Sequence, residues 1–122
     1  MKNFSDIKLN ENITKSLNEL GFISPTPIQS KTIPLLLDTK QDLIGAAQTG
    51  TGKTAAFGIP SIHLTDISNK SVQTLILCPT RELCIQITKD LKKYSKYVNQ
   101  KKLVLSKMRH ILLEQNIKMD QW

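Results

Sequence analysis

Ile13, Leu17 and Leu20 recur at helical spacing between Asn10, a good N-cap, and Gly21, a good helix stop. Residues 11–20 are therefore expected to form a short amphipathic helix. Ser24 and Thr26 each precede a proline, which drives both out of the α region and keeps residues 22–26 extended. Pro27 suits a first helical position, so 28–37 predicts a second helix, which Pro34 is expected to kink or shorten. An apolar run at 42–46 leads into a glycine-rich loop, after which a third helix is expected from Lys53 to Thr65. A polar link, 66–71, precedes a second apolar run, 72–78, closed by Pro79. Leu83, Ile87 and Leu91 then mark one face of a helix over 81–97, and 102–106 predicts a third short strand. Strand and helix alternate from 42 to 106, which argues for an α/β domain with parallel strands.

At 122 residues the chain can bury about two-thirds of its unfolded surface, enough for one modest core. Residues 1–10 lack the signal-peptide pattern, and the apolar runs are far shorter than a membrane span, so a soluble chain with no membrane role is expected. The only two cysteines, Cys78 and Cys84, have neither the close pairing nor the His partners of a zinc site. They fit a reducing, cytoplasmic setting. The net charge of +7 is lopsided: residues 89–122 carry nine Lys/Arg against three Asp/Glu, while 1–88 carry eight against seven. A basic final third suits an anionic partner such as nucleic acid, and equally a solvated surface.

The chemistry concentrates at 47–54, Ala-Gln-Thr-Gly-Thr-Gly-Lys-Thr, between an apolar run and a helix. The backbone N–H groups of Thr49, Gly50, Thr51 and Gly52 can surround phosphates, Lys53 can reach the β and γ groups, and Thr54 can offer its hydroxyl to Mg²⁺. Ala47 stands where the usual pattern has Gly. The expected ligand is a nucleoside triphosphate. Gln29 carries a side-chain amide, a donor beside an acceptor, which matches the N6 amine and N7 of adenine but not the paired acceptors of guanine. ATP is the nucleotide this predicts.

Three blocks stand in order: 21–29 (Gly-Phe-Ile-Ser-Pro-Thr-Pro-Ile-Gln), 46–54 around the phosphate loop, and 79–86 (Pro-Thr-Arg-Glu-Leu-Cys-Ile-Gln). Together they resemble the Q motif, motif I and motif Ia of the DEAD-box ATP-dependent RNA helicases, with residues 1–105 resembling the N-terminal part of the first RecA-like domain. The resemblance implies a partial RecA-like P-loop domain that binds ATP and Mg²⁺, and whose intact relatives couple ATP hydrolysis to RNA unwinding. It implies that Phe4, seventeen residues before Gly21, stacks on adenine, although a lone Phe near a terminus also suits a core. Pro79, Thr80 and Arg81 would meet the RNA backbone independently of base sequence, and Thr80 also suits a helix cap.

Neither the Asp-Glu-Ala-Asp nor the Ser-Ala-Thr string of that family occurs here, and no Asp-Glu pair exists. No complete catalytic set is therefore expected. Residues 106–122 read as a tail outside the family pattern, with Met108, Ile111, Leu112 and Met119 on one face and a truncated or frame-shifted product as its leading account. In the implied fold, strands from later sequence separate those that feed motifs I and Ia. The sheet is expected to be incomplete, with apolar faces uncovered at 43–44 and 75–77. Two rival readings are a catalytically inert module that binds ATP or RNA, and a small P-loop kinase. The kinase would leave the first and third blocks unexplained.

Overall fold

A computed structural model describes residues 3–98 of the chain. A 3-10 turn at Phe4–Asp6 precedes four helices: α1 Glu11–Glu19, α2 Pro27–Asp38, α3 Lys53–Leu64 and α4 Arg81–Tyr94. The start signals act as expected. The Asn10 side chain accepts from the Asn12 N–H at 2.9 Å, and Pro27 opens α2 behind Thr26. Gly21, at φ +74°, takes the left-handed turn that ends the first helical unit, a conformation that costs glycine least.

Two prolines sit inside helices without ending them. α2 runs through Pro34 to Asp38, so the expected shortening does not occur, and α3 runs through a fully buried Pro60. Tertiary packing outweighs the lost backbone donor, because α2 and α3 form the most extensive helix contact. α4 ends three residues earlier than its pattern suggested, capped at Ser95, whose hydroxyl donates to the Leu91 carbonyl at 2.8 Å.

The core lies where α3 is flanked by α2 and α4, with α1 closing against α4. Ile13 and Leu17 of α1, Ile33 of α2, Ala55, Ile59 and Ile62 of α3, and Ile87, Leu91 and Tyr94 of α4 are all buried there. Gly58 permits the α3–α4 approach: a Cβ at that position would stand 2.5 Å from Leu91 Cδ2. The N-terminal arm is tied in by Phe4 N–H donating to the Ile23 carbonyl at 3.0 Å. Rings continue that link, Phe4 to Phe22 at 6.0 Å and Phe22 to Tyr94 at 5.8 Å between centroids.

The apolar runs do not behave as paired strands. Among the described residues no strand forms, and 42–46 and 72–78 make no backbone hydrogen bond to each other. A strand needs a neighbour to supply its ladder, and among the described residues neither run forms one. Residues 75–78 nevertheless alternate: Ile76 and Cys78 pack against the core, while Leu75 and Leu77 remain 68% and 65% exposed. Ile44 is 99% exposed. The third strand expected at 102–106 and the tail from 106 lie outside the described residues.

Candidate nucleotide site

The loop that enters α3 gathers six of the expected ligand residues at one helix N-terminus. Gly50 and Gly52 take φ of +81° and +85°, and Gly52 is the residue before the first turn, with no side chain capping it. Left-handed glycines ahead of a helix N-terminus are the arrangement in which successive N–H groups can form an anion cradle at the positive end of the helix dipole. Lys53 and Thr54 form the first helical positions. The Lys53 ammonium folds back to donate to the Ala47 carbonyl, spanning the mouth of the loop. Thr51 Oγ1 braces the same turn by donating to the Gln48 carbonyl at 2.6 Å.

The first sequence block docks onto this loop from behind. Thr26 Oγ1 donates to the Thr51 carbonyl at 2.8 Å, and Gln29 Nε2 donates to the Gly52 carbonyl at 3.1 Å. Gln29 Oε1 accepts from the Thr26 N–H at 2.9 Å, one half of a reciprocal capping box at the start of α2. Each braced carbonyl lies antiparallel to the N–H of its own peptide unit, so the bonds to the carbonyls of 51 and 52 turn the amides of Gly52 and Lys53 the opposite way. Gln29 itself is only 4% exposed. Its carboxamide keeps one lone pair and one N–H beyond these two bonds.

Sequence reasoning placed Gln29 at the base of a nucleotide and missed its partner Thr26. The legible signal was the Thr-x-x-Gln spacing of a capping box at 26–29. Phe4 is 2% exposed and its ring packs against Phe22, the core place that a lone Phe near a terminus also suits.

The third block forms a separate corner. Thr80 is the N-cap of α4, its hydroxyl accepting from the Leu83 N–H at 3.3 Å, with Pro79 before it and Arg81 as the first helical residue. All three are exposed. The capping role foreseen for Thr80 is thus formed. Among the described residues no group of three or more His, Cys, Asp or Glu could hold a metal ion, and no helix is long and apolar enough to cross a membrane.

Comparison with known proteins adds to this geometry. Residues 26–119 match the family model of the DEAD/DEAH box helicases, a span that takes in most of the segment set apart above as a tail. The chain is 58% identical over 100 residues to the ATP-dependent RNA helicase CshA of Listeria monocytogenes, covering 80% of this chain and 19% of that protein. It is 50% identical over 95 residues to the ATP-dependent RNA helicase DeaD of Buchnera aphidicola, covering 78% and 16%. The chain thus spans about a fifth of the length of the curated relatives it matches. Among solved structures, a DEAD box protein from Methanococcus jannaschii superposes with a TM-score of 0.74 at 40% identity, covering 77% of this chain and 26% of that one. Dbp5 of S. cerevisiae, bound to RNA and ADP BeF3, gives 0.76 at 32% identity, covering 80% and 25%.

Proposed function

The chain belongs to the DEAD/DEAH box helicase family, and from that premise we propose that it is the ATP-binding portion of an ATP-dependent RNA helicase. The observation that carries this reading is the phosphate loop braced through its carbonyls by Thr26 and Gln29. Such bracing turns the amides of Gly52 and Lys53 away from the braced side, and with those of Thr49, Gly50 and Thr51 they would meet phosphate oxygens at the N-terminus of α3. Lys53 exchanges the Ala47 carbonyl for the β and γ phosphates, a better partner for an ammonium. Gln29 would use its remaining donor and acceptor on the adenine edge.

The first turn of α3 also fits a magnesium ion that travels with the nucleotide. Thr54, the second helical residue after the cradle, is the hydroxyl that would hold it. Such an ion would neutralise part of the phosphate charge when bound. In the whole protein, ATP hydrolysis would be coupled to RNA unwinding, with Pro79, Thr80 and Arg81 supplying sequence-independent contacts to the RNA backbone. The alternation at 75–78 is that of an extended segment, which supports reading 72–78 as a strand, and the parallel RecA-like sheet is the arrangement that family membership suggests for it and for 42–46. A cytoplasmic location accords with the two free thiols.

Titration of the chain with a fluorescent ATP analogue and Mg²⁺ tests the site. Lys53→Ala is expected to weaken binding at least about tenfold, the equivalent of one charge-assisted contact. Unlabelled ATP should displace the probe better than GTP. Unchanged affinity in the Lys53 variant would overturn the phosphate assignment, and equal displacement by GTP would overturn the adenine assignment.

A further inference from the structure

The basic final third of the sequence takes no part in the nucleotide site, and its first lysines stand on one face of α4. At ~100° per residue, Arg81, Ile85, Lys89, Lys92 and Lys93 share the side of the helix opposite the buried Ile87, Leu91 and Tyr94. All five are exposed. Beyond the helix the stripe turns onto α1: the Lys96 ammonium stands 5.1 Å from the Tyr97 ring centroid and that of Lys15 stands 4.2 Å from it. The Tyr97 N–H donates to Ser16 Oγ at 3.4 Å, which holds this turn against α1. A helix face that merely meets water commonly interleaves acids with lysines, because like charges three or four positions apart repel. Around Lys89 those positions hold Ile85, Gln86, Lys92 and Lys93, and around Lys92 they hold Thr88, Lys89, Ser95 and Lys96. None is acidic. Glu82 lies in the first turn, Asp90 stands three residues before Lys93, and Glu19 pairs with Lys96 at 2.7 Å, so three acids stand against six cations. The helix dipole favours Lys92 and Lys93 in the last turn, but it does not account for Lys89 or Lys15.

We propose that this stripe is a second site for an RNA backbone, which leads away from the Pro79–Arg81 corner along α4 to Lys96 and Lys15. Its ligand is the phosphates of a strand longer than the corner alone can hold. The 14 residues of α4 span about 21 Å, room for several phosphates in succession. Lysine brings a point charge on a flexible stem, which suits phosphates of a mobile strand better than it suits the fixed geometry of a base edge. Negative charge laid along the stripe relieves the repulsion among Lys89, Lys92 and Lys93, and the strand's counterions are released. The choice of RNA rests on the reading of the corner given above, whereas the phosphate chemistry stands on the stripe itself.

The full chain is titrated with a fluorescein-labelled single-stranded RNA of mixed sequence at several salt concentrations, and binding is read by anisotropy. Each phosphate contact on a single strand adds about 0.7 to the steepness of log affinity against log salt, so Lys89→Gln with Lys93→Gln is expected to flatten that slope by about 1.4. Lys89→Arg with Lys93→Arg should keep it. Lys31→Gln with Lys40→Gln removes the same charge from exposed positions on and just after α2, and should move the slope far less. Arg81→Gln tests the corner separately. A slope flattened by the glutamine pair at 89 and 93 but untouched by Arg81→Gln would sink the corner reading and uphold the stripe. An unchanged slope in that pair, an equal loss in the arginine pair, or an equal loss in the α2 pair would each overturn the stripe, the last by showing that net charge alone sets the affinity.

Discussion

Gly52 is under two constraints at once. Its φ of +85° disfavours any side chain, and a Cβ there would stand 2.3 Å from Gln29 Nε2, the atom that braces the loop. Gly50 has a similar φ, +81°, with nothing within 4 Å of a Cβ. Alanine at Gly50 is therefore expected to cost only the backbone term, about 1 kcal/mol. Alanine at Gly52 adds displacement of a buried carboxamide and is expected to cost about 2–3 kcal/mol. Urea unfolding of the two variants checks the order. Because the added cost runs through one side chain, Gln29→Ala should be less damaging in the Gly52→Ala background than alone. Strict additivity of the pair would mean that Gln29 and Gly52 do not share this contact. The glycines and Lys53 were legible in the sequence as a phosphate loop. The use of Gln29 as a brace was not, since a side-chain amide fits an adenine edge and a backbone carbonyl equally well, and only its place behind the loop decides which it meets here.

Helices were the most legible elements because their start and stop signals are local: Asn10, Thr26 before Pro27, and Thr80 all stand where the chain turns into a helix. Their interiors were less so. Pro34 and Pro60 break the local rule, and what overrides it is the contact between α2 and α3, which lies beyond any sequence window. The α1–α4 junction carries the pH dependence. Glu19 receives Lys96 Nζ at 2.7 Å and the Tyr97 hydroxyl, and these bonds hold its carboxyl below the usual value of 4.5. A depressed acid stabilises the fold above its unfolded value and ceases to as pH falls below 4.5 through the folded value. Both partners are solvent-exposed at this junction, so the effect is small. Tyr94 has the opposite sign. Burial, then the nearby Asp90 charge, pushes its phenol from 10.0 up to about 12, so its contribution is complete below pH 10 and is lost as pH rises through 12. Tyr94→Phe keeps the ring against Phe22 and is expected to flatten the alkaline limb of a stability–pH profile between 10 and 12, measured by urea midpoints. An unchanged limb would assign the alkaline loss to other groups.

At the scale of the molecule, the helices share a core while the two apolar runs make no backbone hydrogen bond to each other among the described residues. Their hydrophobicity was legible in the sequence, and the family resemblance implied strands from later sequence between them. Pairing itself was not legible, since an apolar run specifies a face to bury and leaves open what will cover it. The outcome at 75–78 is an amphipathic ribbon with Ile76 on the core and Leu75 and Leu77 toward solvent. Exposed edges of this kind template association with other chains, and uncovered apolar area adds to the drive. Isolated chain is therefore expected to self-associate with concentration and to melt broadly, below about 50 °C. Charges on the open face should separate those two behaviours. Ile44 and Leu77 contribute little to the core, so Ile44→Lys with Leu77→Lys should suppress light scattering while shifting the urea midpoint of dilute protein very little. If scattering persists in the double variant, association runs through another surface. If instead the unfolding free energy falls by as much as a core deletion would produce, about 2–5 kcal/mol, those side chains are covered in solution and the ribbon has found a partner within the chain.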